Sequence, residues 1–194
     1  MLIAVHRFLQ HLLLAYLVWR WNRKDGVYIA SPEFLSSSAR LELQPDGYGV
    51  GGRLTIGSGA RISDGVVLAP YGGSIEIGRN VYIGPYAVLY GHGGLSIGDD
   101  VMIAAHTTII PTNHGFSSLG EPIRAQRAVE VGITINDNVW IGSGVRVLDG
   151  VTIGRGSVIG AGSVVTKSLP EKSISCGVPA KVIRSRADAT TGTR

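Results

Sequence analysis

Aliphatic residues return every sixth position along most of this chain. The series runs Ile56, Ile62, Leu68, then Ile77, Ile83, Leu89, then Ile97, Ile103, Ile109. After a gap it resumes at Ile135, Ile141, Val147 and at Ile153, Ile159, Val165. Four residues past most of these key positions stands a second small or β-branched side chain, as at Ala60, Val81, Thr107, Val139 and Ser157. A helix repeats near 3.6 residues and a strand at 2, so neither alone has this period. A short strand, a turn and another short strand do. Glycine directly follows many key positions, among them Gly57, Gly78, Gly84, Gly142 and Gly154, which predicts tight backbone bends there. One hexad cannot bury its own apolar face, so successive hexads are expected to stack into a solenoid.

The irregular steps set the cross-section. Between triplets the key positions advance by nine (68 to 77), eight (89 to 97), twenty-six (109 to 135) and six (147 to 153). Every insertion therefore falls at one phase of an eighteen-residue period. That predicts an all-β prism with three faces and about five coils over residues 52–168, its loops leaving from a single edge. Ahead of it, 1–24 reads as an apolar helix of about fifteen residues and 25–51 as a linker leading into the first coil. Residues 169–194 read as a C-terminal segment and tail.

Composition narrows the class. The 28 glycines lack a strict three-residue spacing, which excludes collagen, and only 8 prolines argue against a disordered Pro/Gly chain. A lone cysteine, Cys176, forms no internal disulfide and reads as structural. A net charge of +4 is too mild to indicate nucleic acid. In the first segment, the uninterrupted apolar run Leu12 to Trp19 is too short to span a bilayer, and no cleavage pattern of small residues follows it. Packing is the first role expected of this helix. Peripheral contact with a membrane, through Trp19, Trp21, Arg20, Arg23 and Lys24, is the second.

Candidate chemistry gathers where the beat stops, at 111–131. A long insertion in a solenoid adds no core and costs ordering entropy, so it is expected to carry function. His114 stands at its root, five residues past Ile109, with Gly115 leaving the approach open. Asn113, Arg124 and Gln126 supply polar groups suited to a polyol. A histidine near neutral pKa can take a proton from an attacking acceptor and return it to a leaving group.

Two stretches, "NVWIGSGVRVLDGVTIGRGSVIGAGSVVTKSLP" and "GVPAKVIR", resemble the hexapeptide-repeat acyltransferases. The nearest likeness is to sugar O-acetyltransferases of the galactoside/maltose type and their relatives in polysaccharide biosynthesis, over roughly residues 50–186. The resemblance implies a left-handed parallel β-helix, a homotrimer, acetyl-CoA as donor and, as acceptor, a sugar hydroxyl of a surface polysaccharide or its precursor, including lipid-linked forms. It implies His114 as general base, with a backbone N–H steadying the oxyanion. It places Ser143 at the cofactor, Ala161, Thr166 and Lys167 along the pantetheine groove, and Lys181 and Arg184 near the nucleotide phosphates. On the acceptor side His92, Asn113, Arg124, Tyr86 and Trp140 are the candidates. The lone cysteine fits a reducing compartment, so a cytoplasmic location is expected, and the apolar helix ahead of the coils suits association with the inner face of the membrane.

The chain departs from that pattern at Gly84, where galactoside-type relatives carry an acceptor-orienting asparagine; Asn113, Tyr86 or a water is expected to take its place. Some related β-helices bind zinc through three histidines, but His92, His106 and His114 do not have their spacing, and no metal is expected. Two other readings remain open: N-acetylation of an amino sugar, and a β-helical scaffold without activity.

Overall fold

The computed structural model of the chain describes residues 2–43 and 51–187. Helix α1 (Leu2–Asn22) is followed by short strands that recur in triplets. Each strand pairs in parallel with the strand one coil away, giving three long sheets that form the faces of a left-handed parallel β-helix. Among the described residues the coils are coil 1 (27–41), coil 2 (53–69), coil 3 (74–90), coil 4 (95–110), coil 5 (133–148) and coil 6 (152–165).

Register explains the sixfold beat. On the first face Ile29, Ile56, Ile77, Ile97, Ile135 and Ile153 stack in one column. On the second, Leu35, Ile62, Ile83, Ile103, Ile141 and Ile159 do the same. Leu41, Leu68, Leu89, Ile109, Val147 and Val165 line the third. Apart from half-buried Leu41, all of these side chains are buried. Each contributes about 1.5–3 kcal/mol by leaving water. The second positions, such as Val81, Ala87, Thr107 and Ser157, fill the corners of the triangle and are also buried.

The bends lie elsewhere than the glycine pattern predicts. Positive φ falls three residues past the key position, at Asn80, Tyr86, Asp100, His106 and Asn138 as well as at Gly144. The glycine directly after a key position serves close stacking instead. A Cβ on Gly84 would sit 2.7 Å from the Ala105 nitrogen, and one on Gly142 would sit 2.6 Å from the Ala161 nitrogen. Adjacent coils could not approach with a side chain there.

Residues 27–41, read from sequence as linker, form a complete coil. Its keys Ile29, Leu35 and Leu41 are six apart, but none is followed by glycine, and fifteen residues separate Leu41 from Ile56. Residues 44–50 of that interval lie outside the described part, as do Met1 and the tail 188–194. Helix α1 is longer than the fifteen residues expected, since nothing in its sequence breaks it before Asn22. It closes the open end of coil 1. Leu17 and Trp21 enter the core with Leu14 and Val18 packed beside them, and the Asn22 side chain bonds both the N–H and the C=O of Ile29. Among the described residues no helix is long and apolar enough to cross a membrane. At the far end, Ser173–Gly177 extends the second sheet and folds back as the antiparallel strand Ala180–Ser185.

Candidate functional site

All long connections leave from the edge where the third face turns into the first, and the 111–131 excursion is the largest. Its root is pinned twice. Asn113 and Val129 exchange backbone hydrogen bonds, both 2.8 Å. The Asp149 carboxylate of coil 5 accepts the N–H groups of Val131 and Gly132 at 2.8–3.1 Å. His114 emerges just beyond the first pin and is exposed. Among the described residues nothing hydrogen-bonds its imidazole.

Two neighbours have roles other than those expected. A Cβ on Gly115 would lie 2.5 Å from the Arg127 carbonyl oxygen, so this glycine lets the two limbs of the excursion touch. The Gln126 amide bonds Ser118 N–H, Ser118 C=O and Glu121 C=O at 2.8–3.0 Å, so it holds the loop's shape and has little left for a ligand. Arg124, on the single turn Ile123–Ala125, is exposed and free to reach an anion.

One coil earlier on the same edge, His92 sits in a ring cluster with Tyr71 and Tyr90, at centroid distances of 5.1 and 5.7 Å. Its Nδ1 is buried without a partner among the described residues. An open groove of about 520 Å³ runs beside it, bounded by Arg53, Ser74, His92 and glycines. Tyr71 donates to Glu42 at 2.5 Å, and that bond, with burial, pushes the phenol up to about 12. Sequence reasoning missed Tyr71, although "PYGG" precedes "YGHGG" at the equivalent point of the previous coil.

The other candidates divide between places. Thr166 and Lys167 share the edge of His114, beyond coil 6. Tyr86, Ser143 and Ala161 lie on a different edge, between the second and third faces. There Ser143 Oγ donates to the Ala105 carbonyl at 2.8 Å. Tyr86 stacks on His106 on that edge and so stands apart from His114 in its own chain. Trp140 points outward from the second face, in register with Met102 and Val158. Lys181 and Arg184 are exposed on the strand that ends the same sheet. The structure thus puts His92, Asn113, His114 and Arg124 on connections of one edge and Tyr86, Ser143 and Ala161 on another. His106 is likewise remote from the other two histidines. Among the described residues no group of three His, Cys, Asp or Glu is placed to hold a metal ion. Gly84 is a stacking position with no room for a side chain, so an orienting group has to come from elsewhere.

Known proteins with this architecture settle the family. The model described as "Hexapeptide repeat of succinyl-transferase" matches residues 74–110, and "Bacterial transferase hexapeptide (six repeats)" matches 132–167. The putative lipopolysaccharide biosynthesis O-acetyl transferase WbbJ of Escherichia coli is 34% identical over 69% of this chain and 72% of its own length. This chain belongs to the hexapeptide-repeat acetyltransferases. The galactoside O-acetyltransferase of Escherichia coli is 41% identical over 69% of this chain, a stretch that spans 64% of that relative. Among solved structures, a variant of AntD, an N-acyltransferase from Bacillus cereus in complex with dTDP-4-amino-4,6-dideoxyglucose and coenzyme A, aligns with a TM-score of 0.69. It is 26% identical, covering 86% of this chain and 88% of that one. In this hexapeptide-repeat protein the coils keep one period, and the long insertions fall on the edge that carries His92 and His114.

Proposed function

We propose that the chain transfers an acyl group from acetyl-CoA to a sugar. The amine of an amino sugar carried on a nucleotide is the acceptor best supported, because the AntD neighbour, which matches nearly the whole chain, holds such a sugar beside coenzyme A. A sugar hydroxyl is the second reading. Galactoside O-acetyltransferase and WbbJ, similar in sequence, favour it.

In either case the exposed His114 is the base. As the acceptor nitrogen or oxygen bonds the thioester carbonyl carbon, its proton passes to the imidazole. The carbon–sulfur bond breaks, and the same proton neutralises the departing thiolate, so His114 ends as it began. Lys181 and Arg184 suit the nucleotide phosphates of coenzyme A, and Ser143, Ala161, Thr166 and Lys167 its pantetheine arm.

A single chain leaves this arrangement incomplete, since Ser143 and Ala161 occupy a different edge from His114, Thr166 and Lys167. The excursion also exposes Phe116 at 74% and Leu119 fully. A homotrimer relieves both problems, because in a closed ring one chain's excursion meets its neighbour's opposite edge. Thiol release from acetyl-CoA, measured against nucleotide-linked amino sugars, the corresponding hydroxy sugars and galactosides, tests the reading. An amide product by mass spectrometry supports the first acceptor and an ester the second. No sugar-dependent thiol release would refute both.

A further inference from the structure

Helix α1 has two apolar sides. Leu14, Leu17, Val18 and Trp21 face coil 1. The opposite side carries Phe8, Leu12, Tyr16 and Trp19, spaced four, four and three residues apart, with Leu9 beside them. These five are 51–62% exposed although they are large and apolar. A helix that only capped a solenoid would turn a polar face outward, and one that is apolar all round is normally buried on both sides. The outer stripe therefore needs a second partner.

Charge identifies it. Residues 1–24 contain no aspartate or glutamate. Arg23 continues the outer stripe one turn past Trp19, its guanidinium 5.1 Å from the indole centroid, and Arg20 and Lys24 flank it, both exposed. A second copy of the helix would bring this cationic end against residues with no acid to answer it. A bilayer with anionic headgroups answers it directly: aliphatic and aromatic rings enter the headgroup–acyl boundary while the basic groups stay with the phosphates.

We infer that the outer face of α1 docks on an anionic membrane surface. Because α1 lies across the end of the prism, docking stands the coils upright on the bilayer. Parallel strands lie ~4.8 Å apart, so coil 4, from which the His114 excursion leaves, stands ~14 Å above coil 1. The inference does not depend on the acyl-transfer reading.

The test is co-sedimentation of the full chain with vesicles of phosphatidylcholine alone and of phosphatidylcholine mixed with phosphatidylglycerol. The wild type should pellet with the mixed vesicles and not with the neutral ones. Arg20→Gln, Arg23→Gln and Lys24→Gln together should weaken the partition about 100-fold, at ~5-fold per basic group near an anionic surface. Leu12→Gln with Trp19→Ser should abolish it without moving the melting temperature, because both side chains point away from the core. Equal binding to the two vesicle types, or none to either, would overturn the inference. So would a fall in molecular mass on Leu12→Gln with Trp19→Ser, since that would assign the stripe to a second copy.

Discussion

Tyr86 and His106 stand one coil apart with their rings stacked, 5.4 Å between centroids and 11° from parallel. Both occupy the left-handed corner conformation, at φ 58° and 59°, that glycine takes at other corners of the fold. The stack ties the corner of coil 3 to that of coil 4, and the His106 ring is committed to it.

His106 should therefore matter to stability and not to chemistry. His106→Ala is expected to lose ~0.5–1.5 kcal/mol of ring stacking in urea unfolding. It should leave the acyl-transfer rate within about two-fold of wild type, far short of the loss a positioned acid–base group gives. A much larger loss of rate would move the base to this edge.

Much of the fold was legible because one side chain per hexad must enter a narrow core. The fifteen key positions from Ile56 to Val165 are all buried, and the edge that bears every insertion follows from the step lengths alone. Coil 1 was not legible, since Ile29, Leu35 and Leu41 lack the following glycines that made the later coils conspicuous. At the site, spacing located His114 and His92 on one edge. It gave no warning that Gln126 makes its hydrogen bonds inside the loop, or that Gly115 lets two limbs touch. Those contacts join residues whose distance apart is set by loop shape and by no period.

Ile153 tests the interior columns. It is wholly buried on the first face between Ile135 and the bridge to Leu169. Ile153→Ala should cost ~2–5 kcal/mol through the cavity left behind. A loss below about 0.5 kcal/mol would contradict the register, because an exposed position tolerates such a change.

Gly84→Ala should also destabilise, by ~1–3 kcal/mol, because the added methyl meets the backbone of Ala105 at 2.7 Å and Ile103 at 3.0 Å. Equilibrium unfolding reads this directly. An unchanged midpoint would mean that neighbouring coils stand further apart than described.

Tyr71 links one corner to pH. Its phenol is pushed from 10.0 to about 12 by the hydrogen bond to Glu42. A raised folded-state pKa adds stability that is complete below about pH 10 and is lost as the pH climbs towards 12. Glu42→Gln should bring the Tyr71 phenolate transition, followed by absorbance, back towards that of an ordinary tyrosine. It should also remove that alkaline loss. An unmoved transition would assign the shift to burial alone.

The most direct measurement is the acyl-transfer rate of His114→Ala on the acceptor that the wild type uses, with acetyl-CoA affinity determined alongside. The rate should fall by about 10²–10⁴-fold, while the affinity stays near wild type because the groups assigned to coenzyme A are other residues. A variant that keeps more than about half of the wild-type rate would leave His114 an ordinary loop residue, and the excursion would need another explanation.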